Sequence, residues 1–409
     1  MKILAYGASL KNNFGGPSIL YGVYEIWNSK IPDLEIVYID SVRPGEDFFG
    51  TNNIPLKIIP HPKKRRRKWL PVLLLYKLFG RFVLSRADQE LLEEFLSADA
   101  VIDLWGINFS DKLGMPRSRM ILFYNNMYHL TARLLKKKFI KYTSSFGPIL
   151  TPQTRRAATF FLGQRTDLIL CRERHSQKVL EELGLRTPLL VCPDSALAMK
   201  PEPVPESCLP EIFRRNKPVI SISVSYQIIR QWKSDEAYLD IMVRLIQFLI
   251  GEFSSTILLI PNEIGLPYDD LSVAEDIYAL CAQKDSIHIL AVEHLSAPQL
   301  KYIISRCEMM LASRYHSVAA SLSMGIPTVV IGWHHKYEEL LSLYGQVNYL
   351  LDCESCSIDE ILRAIKQVWN TRTEIRQEIA SHSEEIRKEL DKGTCALLDI
   401  LKSSSKDNL

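Results

Sequence analysis

The sequence predicts an α/β protein of two Rossmann-like domains facing each other across a cleft. Three observations carry that expectation. Apolar strand-like runs alternate with longer amphipathic stretches, the rhythm of βα units on a parallel sheet. The rhythm breaks over 200–218, where Pro201, Pro203, Pro205, Pro210 and Pro218 cluster. It then restarts and runs on toward the C-terminus. With 409 residues, 47% hydrophobic and 24% charged, the chain can bury two such cores, and disordered and fibrous classes are excluded.

In order along the chain, strands are expected at 3–6, 35–39, 100–104, 120–124, 168–171 and 189–191, then at 219–224, 256–260, 287–290, 309–312 and 328–331. This divides the protein into an N-terminal domain (1–200), a Pro-rich linker (201–217), a C-terminal domain (218–370) and a helical tail (371–409) that packs back across the hinge. Lys77 and Arg81 interrupt the longest apolar stretch, 69–84, which therefore falls short of the roughly 18 residues a membrane span needs. Residues 1–7 enter a strand directly, without the basic start, apolar stretch and small-residue cleavage site of a secretory signal, so a cytoplasmic location is expected. The eight cysteines are scattered, and Cys353 and Cys356 lack the further ligands of a zinc site. Reduced thiols and no bound metal are expected.

The formal net charge of +3 hides an asymmetry. Residues 1–200 hold 30 Lys+Arg against 18 Asp+Glu, net +12, and the remainder is net −9. A basic N-terminal half attracts anionic partners. Within it, the run Lys63-Lys64-Arg65-Arg66-Arg67-Lys68 precedes the apolar aromatic stretch 69–76, and a second cluster comprises Arg133, Lys136, Lys137, Lys138 and Lys141. Basic residues beside apolar ones suit peripheral contact with an anionic membrane leaflet; the alternative is a solvated loop before a buried helix. No nucleic-acid recognition module accompanies the charges, and no nucleic-acid partner is expected.

Three segments present chemistry at strand ends. After the first strand, Asn13-Phe14-Gly15-Gly16-Pro17 forms a Gly-rich loop running into a helix, either an anion site built on backbone N–H groups or a tight βα turn. No GxGxxG or GxxxxGK[ST] nucleotide fingerprint is present. After 309–312, Ser313-Arg314-Tyr315-His316-Ser317 opens a helix closed by Gly325-Ile326-Pro327, so that a fixed cation and a proton donor stand at a strand's C-terminal end. The alternative is that Arg314 pairs with a carboxylate and His316 caps the helix. Downstream on the same rim, Trp333-His334-His335-Lys336 offers a lysine suited to a phosphate. In the first half Arg172 directly follows strand 168–171, whereas Arg174 and His175 are expected on solvated helix surface. Asp103 and Asp111 flank Trp105-Gly106; each is either a base for a hydroxyl or a carboxylate bonding loop N–H groups.

Together these segments resemble the polysaccharide pyruvyltransferase family. The matching features are Asn13-Phe14-Gly15, the turn Phe146-Gly147-Pro148, the stretch 167–176 with Leu180 and Gly184, Pro193-Asp194-Ser195-Ala196, the Arg314-Tyr315-His316 segment, Gly325-Ile326-Pro327 and Lys336. The resemblance runs in order from residue 1 to about residue 351, and the Arg-x-His segment with its Gly-x-Pro partner is its most specific part. It implies a fold similar to the GT-B glycosyltransferases, phosphoenolpyruvate as donor substrate with no separate cofactor, and a sugar diol as acceptor. It also implies functional roles for Arg314, His316, Arg172 and one of Asp103 or Asp111. Gly16 stands where the family usually has Asp, and the Gly-rich turn after the third strand shrinks to Trp105-Gly106, which points to a different acceptor pocket.

On this reading Arg172, Arg314 and Lys336 clamp the donor's carboxylate and phosphate. Asn13, Gly15, Gly16, Ser317 and His335 complete the substrate-binding set, and His316 protonates the methylene carbon as general acid. The expected product is a pyruvate ketal on a saccharide of a cell-surface glycan pathway, with a lipid-linked acceptor favouring the membrane contact. Two rivals remain. A nucleotide-sugar glycosyltransferase of the retaining GT-B type would place a carboxylate early in the helix after the equivalent strand, and 317–325 contains none. A catalytically silent glycan-binding member would be inert to the donor.

Overall fold

The computed structural model describes residues 1–41, 49–61, 63–80, 84–111, 126–163, 165–233 and 236–406. Two parallel sheets form the frame. The first contains β1 (Lys2–Tyr6), β2 (Glu35–Asp40), β3 (Lys57–Pro60), β4 (Ala100–Asp103), β5 (Ile107–Asn108), β6 (Lys138–Phe146), β7 (Leu168–Cys171) and β8 (Leu189–Val191). Its order is β3-β2-β1-β4-β6-β7-β8, with β5 paired to β6. The second contains β9 (Val219–Ser223), β10 (Thr256–Leu259), β11 (Ile287–Ile289), β12 (Met309–Ala312), β13 (Thr328–Gly332) and β14 (Leu350–Asp352), in the order β11-β10-β9-β12-β13-β14.

These strands read as short apolar runs because helices cover both faces of a parallel sheet; β4, β7, β9, β10 and β12 are buried at every residue. In each sheet the strand order reverses beside its first strand, at β1/β4 and at β9/β12. Such switch points leave crevices beyond the strands' C-terminal ends, where α/β proteins bind ligands. Arg314 and His316 follow β12, and Trp105-Gly106 follows β4.

The halves share one apolar core. It runs from Ile3, Leu20 and Trp27 through Ile220, Leu258 and Val329 to Ile379, Leu390 and Leu397 of the C-terminal helix Arg372–Lys406. Within the first half, helix Gly15–Asn28 lies on the turn Ser195–Ala198, where a Cβ at Gly22 would run into the Ser195 carbonyl. Across the join, the Phe14 N–H donates to the Asn262 carbonyl at 3.2 Å and the Ala297 N–H to the Phe49 carbonyl at 3.0 Å. The C-terminal helix returns to the first half, where Thr394 and Tyr142 share a 3.2 Å hydrogen bond and Asp391 lies 3.1 Å from Lys30. The Pro-rich segment is packed down as well: Val204, Leu209 and Ile212 are buried, and the Glu202 N–H donates to the Pro298 carbonyl.

Several local expectations are corrected. β3, β5, β6 and β14 were not anticipated, and the expected strand 120–124 lies outside the described residues. β6, Lys-Phe-Ile-Lys-Tyr-Thr-Ser-Ser-Phe, reads as a basic surface stretch, yet it is buried along almost its whole length between β4 and β7. The second basic cluster is largely spent internally. Lys141 is 1% exposed and paired to Asp103, Lys137 donates to the Leu96 and Ala98 carbonyls, and Lys138 lies 3.4 Å from Asp167. The run 63–68 is not a loop but the opening of helix Lys63–Phe79.

Candidate active site

The ends of β7, β8, β12 and β13 bring Arg172, Asp194, His316 and Lys336 together where the halves meet. Arg172 follows β7 with its side chain 4% exposed. Its Nε donates to the Thr143 carbonyl, its Nη1 lies 3.1 Å from Asp194 Oδ2, and its guanidinium stands over the Tyr315 ring at 5.2 Å. Nη2 is buried without a hydrogen-bond partner among the described residues. Asp194 is fixed by accepting from the Ala196 N–H at 2.9 Å, so one carboxylate both starts the turn after β8 and anchors Arg172.

His316 sits one residue inside helix Tyr315–Ser323. Its Nε2, shut off from solvent, lies 3.7 Å from Asp194 Oδ2, and its Nδ1 abuts Gly15 of the first half, where a Cβ would come within 2.5 Å. Burial, joined by the cations Arg172, Lys336 and Arg314, outweighs Asp194 and lowers the imidazole pKa to about 4. The ring is therefore neutral near pH 7 in the free protein.

Lys336 begins the helix Lys336–Ser342 after β13. Its Nζ lies 5.0 Å from the Tyr315 and Trp333 ring centres and 5.5 Å from that of Tyr337, with no ion-pair partner among the described residues. Burial, with Arg172 and Arg314 nearby, lowers its pKa to about 7. A cavity of about 600 Å³ opens against Arg172, Asp194, Tyr315 and Lys336, with Glu385 and Glu389 of the C-terminal helix also in its lining. That volume lies within the range of small-molecule sites.

Lys336 gives a pH prediction. Its pKa falls from 10.5 unfolded to about 7 folded, so above pH 7 the unfolded chain binds the extra proton and stability rises with pH. Buried Lys301, also lowered to about 7, adds a slope of the same sign. Above about pH 8.5 ionising cysteines of the unfolded chain reverse the trend, because burial raises the pKa of Cys171, Cys192 and Cys307. Thermal unfolding between pH 7 and 8.5 is therefore expected to show stability rising with pH, with a reduced slope in Lys336→Met. An unchanged slope in that variant would mean that burial does not lower the Lys336 pKa.

Other expected site residues have different positions or tasks. Arg314 is the N-cap of its helix, but its Nη2 is held by Asp270 at 2.5 Å and Glu263 at 2.7 Å, the carboxylate pairing of the alternative reading. Its buried Nε has no hydrogen-bond partner among the described residues. The Gly15 and Gly16 N–H groups both donate to Asn13 Oδ1, at 2.9 and 3.2 Å, so the anion site expected at this loop is filled by its own side chain. The glycines permit close approach, Gly15 to His316 and Gly16 to the Ser9 carbonyl. The Ser317 hydroxyl accepts from Ser223 and Asn262 and is 1% exposed. His335 stands 3.4 Å from Glu173 and packs on His175, which is half-buried rather than solvated.

Both carboxylates expected as bases have partners in the free protein. Asp103 is 1% exposed, ion-paired to Lys141 at 2.5 Å and accepting from the Trp105 N–H. Asp111 accepts from the Leu150 and Thr151 N–H groups and from both Thr151 and Thr154 hydroxyls. Burial would raise its pKa, but these hydrogen bonds prevail and hold it below the usual carboxylate value. Both therefore organise loops. Asp194 was the residue missed: it lies in Pro193-Asp194-Ser195-Ala196, a matching segment, but only its contact with Arg172 and His316 identifies its role.

Among the described residues, no group of three or more His, Cys, Asp or Glu is arranged to hold a metal ion, and no helix is long and apolar enough to cross a membrane. The sequence profile of the polysaccharide pyruvyl transferase family matches residues 6–335. Amylovoran biosynthesis protein AmsJ of Erwinia amylovora is 23% identical over 427 residues, covering 98% of this chain and 100% of AmsJ. The architecture is similar to that of S. aureus MnaA in a co-structure with UDP (TM-score 0.60, 11% identity, 93% and 91% of the two chains). It is also similar to Anabaena Alr3699/HepE in complex with UDP-glucose (0.57, 12%, 99% and 100%). A third similar structure is the UDP-GlcNAc 2-epimerase of Methanocaldococcus jannaschii (0.57, 12%, 90% and 93%). At these identities the likeness shows the fold: two Rossmann-like domains in the GT-B arrangement.

Proposed function

The chain belongs to the polysaccharide pyruvyl transferase family, a transferase of polysaccharide biosynthesis, and from that premise we propose that it moves the pyruvyl group of phosphoenolpyruvate onto two hydroxyls of a saccharide, forming a pyruvate ketal. The observation that carries this reading is the set of unsatisfied buried cationic donors. Lys336 Nζ has no ion-pair partner, and Arg172 Nη2 and Arg314 Nε have no hydrogen-bond acceptor, among the described residues. Buried donors are costly unless something pairs with them, and a small anion bearing a carboxylate and a phosphate does so.

Such a donor would lie against Arg172 and Lys336. Its negative charge offsets the cations that depress His316, so the imidazole pKa rises when the donor binds and the ring takes up a proton. His316 then gives that proton to the donor's methylene carbon, leaving a cationic centre at the carbon bearing phosphate. One saccharide hydroxyl attacks there and its proton restores His316; phosphate leaves by C–O cleavage, and the second hydroxyl closes the ketal, its proton departing with the phosphate. Atoms balance: one donor and one diol yield one ketal and one phosphate.

A thermal-shift comparison of phosphoenolpyruvate with UDP, GDP and CMP sugars tests the donor class, since a ligand bound only by the native state raises its stability. Phosphoenolpyruvate alone is expected to raise the melting temperature, and Lys336→Met to remove most of the rise. Stabilisation by a nucleotide sugar with none by phosphoenolpyruvate would replace this reading with the glycosyltransferase one.

A further inference from the structure

We propose that helix Lys63–Phe79 is a peripheral membrane anchor, its basic first turns on the headgroups of an anionic phospholipid leaflet and its exposed apolar row among the acyl chains. The helix has two apolar faces, and the protein core uses only one. Trp69 and Leu73 are buried at 1% and 0%, and Trp69 Nε1 donates to the Thr131 hydroxyl at 2.8 Å. Leu74, Leu75, Leu78 and Phe79 are instead 53%, 44%, 74% and 64% exposed. Pro71, Leu74, Leu75 and Leu78 recur at helical spacing and so share one face, with Phe79 beside it. Contiguous exposed apolar side chains mark an interaction surface.

Charge identifies the occupant. Residues 48–87 carry ten Lys and Arg and no Asp or Glu, six of the ten in the run 63–68 that opens this helix. A helix whose sequence opens with a cationic run and then presents an exposed apolar row complements an anionic leaflet over acyl chains. The helix begins three residues after β3 ends at Pro60.

The test uses the full chain with phosphatidylcholine vesicles, with and without phosphatidylglycerol. Wild-type protein is expected to float with the phosphatidylglycerol vesicles and to stay behind with phosphatidylcholine alone. The quadruple variant Leu74→Ser, Leu75→Ser, Leu78→Ser, Phe79→Ser is expected to partition roughly tenfold more weakly with unchanged circular dichroism and melting temperature, because those side chains are exposed. Replacing residues 63–68 by Gln and Ser should weaken binding and flatten its salt dependence, since the attraction decays over about 8–10 Å at physiological salt. Three results would overturn the proposal: wild-type protein that does not float, a quadruple variant that floats equally, or a solution dimer that the quadruple variant dissolves, which would assign the row to a second copy of the chain.

Discussion

His316→Gln is expected to leave the chain folded and the donor bound while turnover falls by about 10²–10⁴-fold, the loss that follows removal of a positioned general acid. Binding and chemistry separate because the donor's charges are proposed to be held by Arg172 and Lys336, which line the cavity, and not by the imidazole. The variant is also expected to change the pH profile. In the wild type kcat falls as pH rises through the imidazole pKa of the donor complex, and that descending limb should vanish in the variant. Stability moves the other way in the free protein. The unfolded imidazole binds its proton near pH 6.5 and the folded one only near 4, so the folded state loses stability as pH falls through that window. A melting series from pH 6.5 to 4.5 should fall less steeply in His316→Gln. Near wild-type turnover would transfer the acid role to His334 or His335; an unfolded variant would make His316 a structural residue.

Arg314→Ala is expected to cost about 3–5 kcal/mol of stability, because it strands buried Asp270 without its cation. Asp270 also accepts from the N–H groups of Tyr226, Asn262 and Glu263, so the damage should spread to the loops after β9 and β10. From position alone the same substitution would weaken donor binding by roughly 1.5–3 kcal/mol, as for hydrogen bonds to charged groups. Urea unfolding and donor titration on one sample separate the two. Unchanged stability with weakened donor binding would mean that the guanidinium serves the ligand rather than Asp270.

The contrast between β6 and β12 shows how much of the fold was legible. β12, Met-Met-Leu-Ala, announces itself because all four residues are apolar. β6 hides because Lys141 belongs to a core strand only when Asp103, 38 residues away, supplies the counter-charge. Asn13 fails for a local reason: Gly-rich loops before helices offer N–H groups to anions, and here the nearest acceptor is the loop's own amide oxygen. Helix Lys63–Phe79 was half legible, its charge evident and its second, uncovered apolar face visible only once Trp69 and Leu73 were seen to turn inward.

The sequence by itself determined the two-sheet frame, the family and the placing of Arg172, Arg314, His316 and Lys336 at strand ends, because strand period, strand-end position and motif order are properties of neighbouring residues. The tertiary structure alone decided what those side chains can do. It spent Arg314 on Asp270 and Glu263, set Asp194 between Arg172 and His316, pressed His316 against Gly15 of the other half, and buried Lys336 among three aromatic rings with no ion-pair partner among the described residues. The reason is physical. A side chain's charge state depends on how much water it loses and on which charges come within a few ångströms, and those neighbours arrive from other segments of the chain, as Asp194 and Gly15 do at His316.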